Sequence, residues 1–475
     1  ENIGLEHNEW SRGTDSCGTV QAAFDVPGAV VFERAERCVL YGCELAHLAG
    51  YGIEMLAGSQ GNVIAACTIR ELGAGAVKIG HEELQVHQAA VGVAASTSAR
   101  WLRPMAATVA DCHMHDGGHI YPSAPGLWIG NAGANRVQHN HIHHFAYTGL
   151  SCGWTWGYAP TRTWDNRIEF NHIHHINHEK VLSDNGGIYT LGIQPGSTII
   201  GNHIHDVSSY HYGGQGIYPD EGSSGILIED NCVHHVAFYG YGVHYGCYLV
   251  ARNNILAVSG RGKIEAGRAE LSYGQIFEQN LMLWSDCDHL VAVGAYLPEH
   301  STSARNLVWN DGPSGVPWYA GTLAAEQALG RWPGSVQADP LFADARSGDF
   351  TLRADSPALK QLGFRPFDWR AAGVRPQTRR RLAYSTYCLP VAKPRALALA
   401  QLKAGGLEIR GDIARLPMRV ALHNPSASRV RGRWTVRMGD GSVAEVTPGP
   451  RLSADLAPGE TQVHDLMVTL HAANG

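Results

Sequence analysis

Two short stretches hold the residues best suited to chemistry: "SDNGGIYTLG" at 183–192 and "GGQGIYPDEGSSG" at 213–225. Both run through Gly-Ile-Tyr, ending at Tyr189 and at Tyr218. Asp184 stands before the first copy, and Asp220 and Glu221 follow the second. Two carboxylates facing one groove are the equipment of glycoside hydrolysis. One protonates the leaving oxygen while the other activates water or attacks the sugar. A separation of about 5 Å suits retention and about 6.5–9.5 Å suits inversion, and the sequence leaves both open. Aligned on the repeated tripeptide, Asp184 and Asp220 are expected to flank a cleft with the two tyrosines between them. Glu221 is a candidate to replace Asp220 or to orient it.

Other candidates lie close by. His211 and Tyr212 precede the second stretch, and His244 follows it. The segment "SCGWTWGYAPTRTWDN" (151–166) adds Trp154, Trp156 and Trp164 on a Gly-rich polar loop. These aromatics are expected to be exposed, offering flat faces to the apolar side of a sugar. Substrate contacts are therefore assigned to Trp154, Trp156, Tyr189, His211, Tyr212, Tyr218 and His244.

A repeat positions these residues. A polar residue followed two positions later by an aliphatic recurs as "CELAH" at Cys43, "CTIRE" at Cys67, "CHMHD" at Cys112, "NHIHH" at Asn140 and Asn171, "NHIHD" at Asn202 and "NCVHH" at Asn231. Asn254 and Asn280 close the series. The spacing is about two dozen to three dozen residues, apart from one longer step read as an insertion near 80–105. Short alternating strands at a fixed period, with Asn at a constant place, describe a right-handed parallel β-helix. Coils stack at about 4.8 Å, and inward Asn side chains then bond along the stack. The longest loops leave the coils that carry Asp184 and Asp220.

The same repeat accounts for most of the 26 His. They are read as solvent-facing stacked imidazoles, because zinc needs three or four converging ligands and a row along a sheet does not converge by itself. Cys43, Cys67, Cys112 and Cys232 are assigned to the ladder position as small core residues. No metal site and no cofactor are expected.

Length, texture and charge bound the rest. Residues 1–336 read as the β-helix domain, 337–385 as a closing segment and linker, and 390–475 as an all-β sandwich of accessory role that is expected to be cut short. The net charge of −6 and the absence of a basic stripe argue against a nucleic-acid partner. No apolar run is long enough to span a membrane. The opening "ENIGLEHNEW" is already patterned like folded chain. A removed leader and a secreted or periplasmic location are the expectation.

The stretches "GLSCGWTWGYAP", "VLSDNGGIYTLGIQPG", "HYGGQGIYPDEGSSG", "HYG" and "GRAELSYGQIFEQNLMLW" together resemble glycoside hydrolase family 141 and its near relatives. The resemblance covers about residues 1–385. It implies a β-helix with α-L-fucosidase or xylanase activity on plant cell-wall polysaccharide, with Asp184 and Asp220 matching the family's two aspartates. It also brings in Arg268 and Glu270, from the matched "GRAEL", as substrate contacts. Two rival readings remain: a polysaccharide lyase and a non-catalytic carbohydrate-binding solenoid. The first usually wants a basic residue and calcium, and only Arg162 and Lys180 stand near. The second would survive loss of both aspartates.

Overall fold

The computed structural model describes residues 21–56, 58–80, 106–159, 161–260, 262–266, 274–284, 291–293, 301–313, 315–318, 320–376 and, within 398–471, a set of strands. The insertion expected near 80–105 lies almost wholly outside them.

The described residues between 28 and 337 wind as a right-handed parallel β-helix. Three parallel sheets of ten, eleven and eleven strands run its length, each strand pairing with its counterpart one coil earlier and one coil later. The first sheet includes Leu150–Cys152, Gly186–Thr190, Gln215–Pro219 and Tyr239–Val243. The second sheet includes Arg167–Glu169, Ile193–Ile200 and Ser223–Glu229. The third includes His141–Phe145, His172–Ile176 and His203–Val207.

One sharp corner explains the constant Asn. Between the second and third sheets the chain turns on a single residue in the left-handed region: Asp111, His139, Phe170, Gly201, Asp230, Asn253, Gln279 and Arg305, all with φ between 50° and 67°. Such a conformation costs a non-glycine residue about 1–2 kcal/mol. The next residue points inward and offsets that cost. Asn171 Nδ2 donates to Asn202 Oδ1 (3.0 Å) and to Val137 O (2.9 Å). Asn202 repeats this with Asn231 (3.0 Å), and Asn231 with Asn254 (2.9 Å). Each Oδ1 also accepts the backbone N–H of the preceding Asn, as Asn171 Oδ1 does from Asn140 N at 3.1 Å. Buried amides with partners on every side hold the corners in register.

The ladder runs further than the sequence series. Cys112 N donates to Asn140 Oδ1, and Asn306 extends it beyond Asn280 to end on Ser335 Oγ. A second, shorter ladder joins Asn135 to Asn166 at 2.8 Å. One assignment is corrected. Asn231 holds the ladder place, so Cys232 pairs in register with His203 and takes a histidine position in the third sheet.

The core is aliphatic, with Ile142, Ile173, Ile204 and Val233 stacked along the third sheet and buried. At the last coils it ends against Trp318, Trp332 and the partly buried Val316 and Leu323, the last in a short helix at Leu323–Ala328. Residues 337–376 run back along the outside of the third sheet instead of across its end. There Phe350, Leu362, Phe364 and Trp369 pack on Cys232, Ile255, Leu281 and Leu307. Strands between 398 and 471 pair antiparallel in one five-stranded and one two-stranded sheet. Among the described residues no helix is long and apolar enough to cross a membrane, which says nothing of a β-barrel.

The histidines stack as expected, in two columns: His113, His141, His172, His203, and His115, His143, His174, His205, His234. They are not open to solvent as the sequence reading had it. All are partly buried and His234 is fully so. Burial, followed by the neighbouring rings, lowers the pKa of His141 to about 4 and of His143 to about 3. His172, His203 and His234 fall to about 2. Asp116 and Asp206 pull in the opposite direction on His113 and His203, while Arg370 adds to the lowering on His203. A histidine whose folded pKa is depressed supports folding above its unfolded value near 6.5. That support is lost progressively as pH falls from 6.5 toward the folded values, because the unfolded chain takes up the proton first. The thermal midpoint, measured in EDTA, is therefore expected to hold from pH 8 to 7 and to drop steeply between pH 6.5 and 4. A midpoint unchanged across that range would refute the neutral stack.

Candidate active site

The two Gly-Ile-Tyr copies are stacked neighbours in the first sheet. Gly186 pairs with Gln215, Ile188 with Ile217 and Tyr189 with Tyr218. The isoleucines fill the core and the tyrosines point to the outer face, as strand alternation requires. Asp184 sits on the turn entering its strand, at φ 56°, with its N–H donating to Tyr212 O. Gly213 allows this approach, since a Cβ there would fall 2.7 Å from Asp184 N. Asp220 sits on the turn leaving its strand, with its N–H donating to Thr190 O. Gly222, at φ 74°, follows. A Cβ on it would lie 1.9 Å from Gly157 O, so only glycine lets the tryptophan loop close against the acidic turn.

Although the strand separates them in sequence, the carboxylates meet on one network. Tyr189 donates to Asp220 Oδ2 in a short hydrogen bond. Gln21 Nε2 lies 2.8 Å from Tyr189 Oη and donates to Asp184 Oδ2 at 2.7 Å. Tyr218 donates to Asp184 Oδ1 at 3.3 Å. His244 Nδ1 lies 2.9 Å from Asp220 Oδ1 and 3.8 Å from Glu221 Oε1. Tyr245 donates to Glu221 Oε2 at 2.8 Å.

The two acids differ in environment. Asp220 is almost wholly buried, at 4% exposure, with both oxygens hydrogen-bonded. Asp184 is half-buried. Burial, then the charge of Asp220, pushes its carboxyl up to about 6, while the Tyr218 hydroxyl and His244 work the other way. A carboxyl raised toward pH 6 next to a second, firmly hydrogen-bonded carboxyl group is an arrangement that can supply a general acid together with a base or nucleophile.

The structure sorts the expected contacts. Tyr189 and Tyr218 are buried and serve the carboxylates through their hydroxyls, not through open ring faces. His211 and Tyr212 are exposed at the rim above Asp184, and His244 is partly exposed beside Asp220. Trp154 corrects the expectation of an exposed platform: it is 1% exposed, and Trp164 is also buried. Trp154 packs edge-on to Phe24 at 6.2 Å and Trp128 at 6.1 Å. Trp156 is partly exposed and stands edge-on to Trp154 at 5.1 Å. Arg268 and Glu270 lie outside the described residues.

Phe24 belongs to an element the sequence reading missed. Residues 21–28 cross the outer face of the first sheet. Phe24 stacks on Trp128 at 5.6 Å, and Ala22 joins Tyr147, Tyr189 and Tyr218 in one apolar cluster. A buried cation holds this segment: Lys78 Nζ donates to Phe24 O and Val26 O, each at 2.7 Å, and pairs with Glu54 at 2.8 Å. Glu54 Oε2 accepts the Gly28 N–H at 3.0 Å. Gln21 is thereby delivered to the acid pair. No local motif marks it, because 163 residues separate it from Asp184.

Residues 106–269 match a family model described as "Right handed beta helix region". Among solved structures, the chain is similar to one titled "Glycoside hydrolase", with 22% identity and a TM-score of 0.36 over 49% of this chain and 37% of that one. It is also similar to XylC in complex with xylose, with 10% identity and a TM-score of 0.39 over 90% of this chain and 66% of that one. A third is the Dettilon tailspike protein gp208, with 10% identity and a TM-score of 0.26, covering 90% and 87%. The chain thus spans only 37% and 66% of the first two structures. Among curated proteins none matches.

Proposed function

We propose that this protein is a glycoside hydrolase in which Asp184 is the general acid and Asp220 the base or nucleophile. The observation that carries the reading is the unequal pair: Asp184 with its carboxyl raised to about 6 and Asp220 buried and bonded on both oxygens. A binding solenoid has no use for such a pair. Protonation of a glycosidic oxygen requires a carboxyl that still holds its proton near neutral pH, and burial beside a second charge supplies that. Glu221, tied to Tyr245 and near His244, orients the Asp220 side of the site. His211, Tyr212 and Trp156 are the sugar contacts at the rim. The substrate class is an oligo- or polysaccharide of the plant cell wall, and the protein works outside the cytoplasm, secreted or periplasmic.

The favoured activity is that of an exo-acting α-L-fucosidase. Residues 21–26 pack over the coils of Trp128 and Trp154 and cover the outer face on that side of the acid pair, which suits a chain end better than a continuous backbone. The test is release of aryl alcohol from an aryl α-L-fucoside beside release of oligosaccharide from xylan. Fucoside cleavage supports the exo reading. Cleavage of xylan alone replaces it with an endo-xylanase on the same acids. Inertness toward both, with glycan binding retained, overturns hydrolysis.

The role of Asp184 fixes a pH signature. The acid must be protonated, so kcat/KM is expected to fall as pH rises through about 6. Tyr218 stabilises the ionised form of Asp184 by donating to it. Tyr218→Phe is therefore expected to move that alkaline limb to higher pH, by several tenths of a unit or more. A limb that stays in place while activity drops would assign Tyr218 to packing alone.

A further inference from the structure

The histidine face of the third sheet lies apart from the acid pair and has no part in the hydrolysis. Its rings do more than stack. Bonds run diagonally between the two columns: His113 Nε2 to His143 Nε2 at 2.7 Å, His141 Nε2 to His174 Nε2 at 2.6 Å and His172 Nε2 to His205 Nε2 at 2.8 Å. Each diagonal gathers a third ring from the first column, that of His113, His141, His172 and His203. Ligand atoms of His113, His141 and His143 all lie within 4.8 Å of one another, as do those of His141, His172 and His174, and of His172, His203 and His205. A single row along a sheet does not converge by itself, but strand alternation sets rings two residues apart on one face, and coil stacking sets the next pair directly below.

We propose that this face is a binding site for divalent transition-metal ions of the zinc type, taking two ions per chain. One ion is held by His113, His141 and His143, the other by His172, His203 and His205. The donor set is three imidazoles with no carboxylate among them, which selects zinc, cobalt, nickel or copper over calcium or magnesium. Two nitrogens on one tetrahedral zinc stand about 3.3 Å apart, given Zn–N near 2.0–2.1 Å. Replacing each N–H···N bond by two metal bonds therefore asks the rings to part by about half an ångström.

The supporting bonds are also present. His205 Nδ1 lies 2.7 Å from Asp206 Oδ2, the carboxylate–histidine pairing that orients a metal ligand. His143 Nδ1 lies 2.6 Å from His144 Nδ1, which serves the first trio in the same way. Two is the ceiling because successive trios share a ring: the middle trio uses His141 and His172, and a fourth uses His203 with Cys232 and His234. That fourth trio is the poorest. Its thiol is pushed well above the usual range by burial, and Phe350 covers His234 at 4.9 Å.

The test uses the full chain, stripped with EDTA, desalted and titrated with Zn²⁺ at pH 7.5 by calorimetry. Metal content after gel filtration is measured alongside, and Co²⁺ serves as a visible probe. The expected result is close to two equivalents, a tetrahedral Co²⁺ absorption band and a rise in thermal midpoint with Zn²⁺. The double variant His141→Gln/His203→Gln removes a ring from every trio and is expected to lose both equivalents while its glycosidase activity stays as in wild type. Should the double variant misfold, the wild-type stoichiometry and Co²⁺ band still decide. Less than about a fifth of an equivalent on wild type, no Co²⁺ band, or undiminished binding by a folded variant would each overturn the proposal and leave the face a hydrogen-bonded stack.

Discussion

Asp220→Asn is expected to lower turnover by about 10²–10⁴ on every substrate of the proposed hydrolase, while Asp184→Asn discriminates among them. The difference follows from the two roles. As proposed, Asp220 would act on the anomeric carbon or its attacking water, so every leaving group would depend on it. As proposed, Asp184 would protonate the leaving oxygen, so a nitrophenolate that departs unaided would need it little and a sugar alcohol would need it fully. The expected pattern is a loss near 10²–10⁴ for Asp184→Asn on a natural oligosaccharide and a much smaller loss on the nitrophenyl glycoside. Equal losses of Asp184→Asn on both substrates would remove the general-acid assignment. A folded Asp220→Asn retaining a tenth of wild-type activity would sink the pair. Asn keeps the shape and one acceptor oxygen at Asp220, and its NH2 can donate to the Tyr189 oxygen or the His244 ring nitrogen in place of the lost one, so Asp220→Asn should fold. At Asp184 the Asn oxygen can still accept from Gln21 or Tyr218.

The second large effect is one of stability. Lys78→Met leaves Glu54, 7% exposed, without its cationic partner and strips two donors from the backbone at Phe24 and Val26. Breaking a buried pair from one side costs about 3–5 kcal/mol, because the remaining charge is uncompensated. Denaturant unfolding should show a loss of that size. Adding Glu54→Leu should return part of it, since the stranded charge is then gone. Activity is the second readout. With the clamp lost, residues 21–26 no longer hold Gln21 on Asp184, so kcat should fall even where the double variant is stable. A variant as stable and as active as wild type would mean that the clamp neither holds the segment nor serves the site.

What the sequence disclosed depended on how far apart the partners stand. The coil was legible because Asn171 and Asn202 recur at one period and each forms the same bonds as the other. The acid pair was legible because both acids flank copies of a single tripeptide. Gln21 was not, since its partners Asp184 and Tyr189 are reached only after the chain has wound through several coils. The burial of Trp154 was hidden for the same reason: a Gly-rich loop reads as exposed until Phe24, from far upstream, is laid against it. The frame of "NCVHH" misled because Asn and Cys are adjacent and only one can face inward. The amide, which fills both sides of the ladder, took that place.

The segment that runs back along the third sheet acts as a ruler. Arg365 N donates to Asn253 Oδ1, Gly373 N to Phe170 O, and Arg375 grips Asp111 through its backbone and guanidinium. These anchors sit on equivalent corners, and those of Asn253, Asp230, Gly201, Phe170, His139 and Asp111 follow one another at about 4.8 Å each, roughly 24 Å in all. Ten residues can reach about 33 Å fully extended, less once the turn at Trp369–Ala371 is formed. A solenoid built only from neighbour contacts would tolerate the gain or loss of a coil, as repeat proteins do. Here the ruler counts the coils. Splicing one in or out between Asp111 and Asn253 would pull Arg375 off its aspartate, so the length of this stretch is fixed by a tie that lies outside the repeat itself.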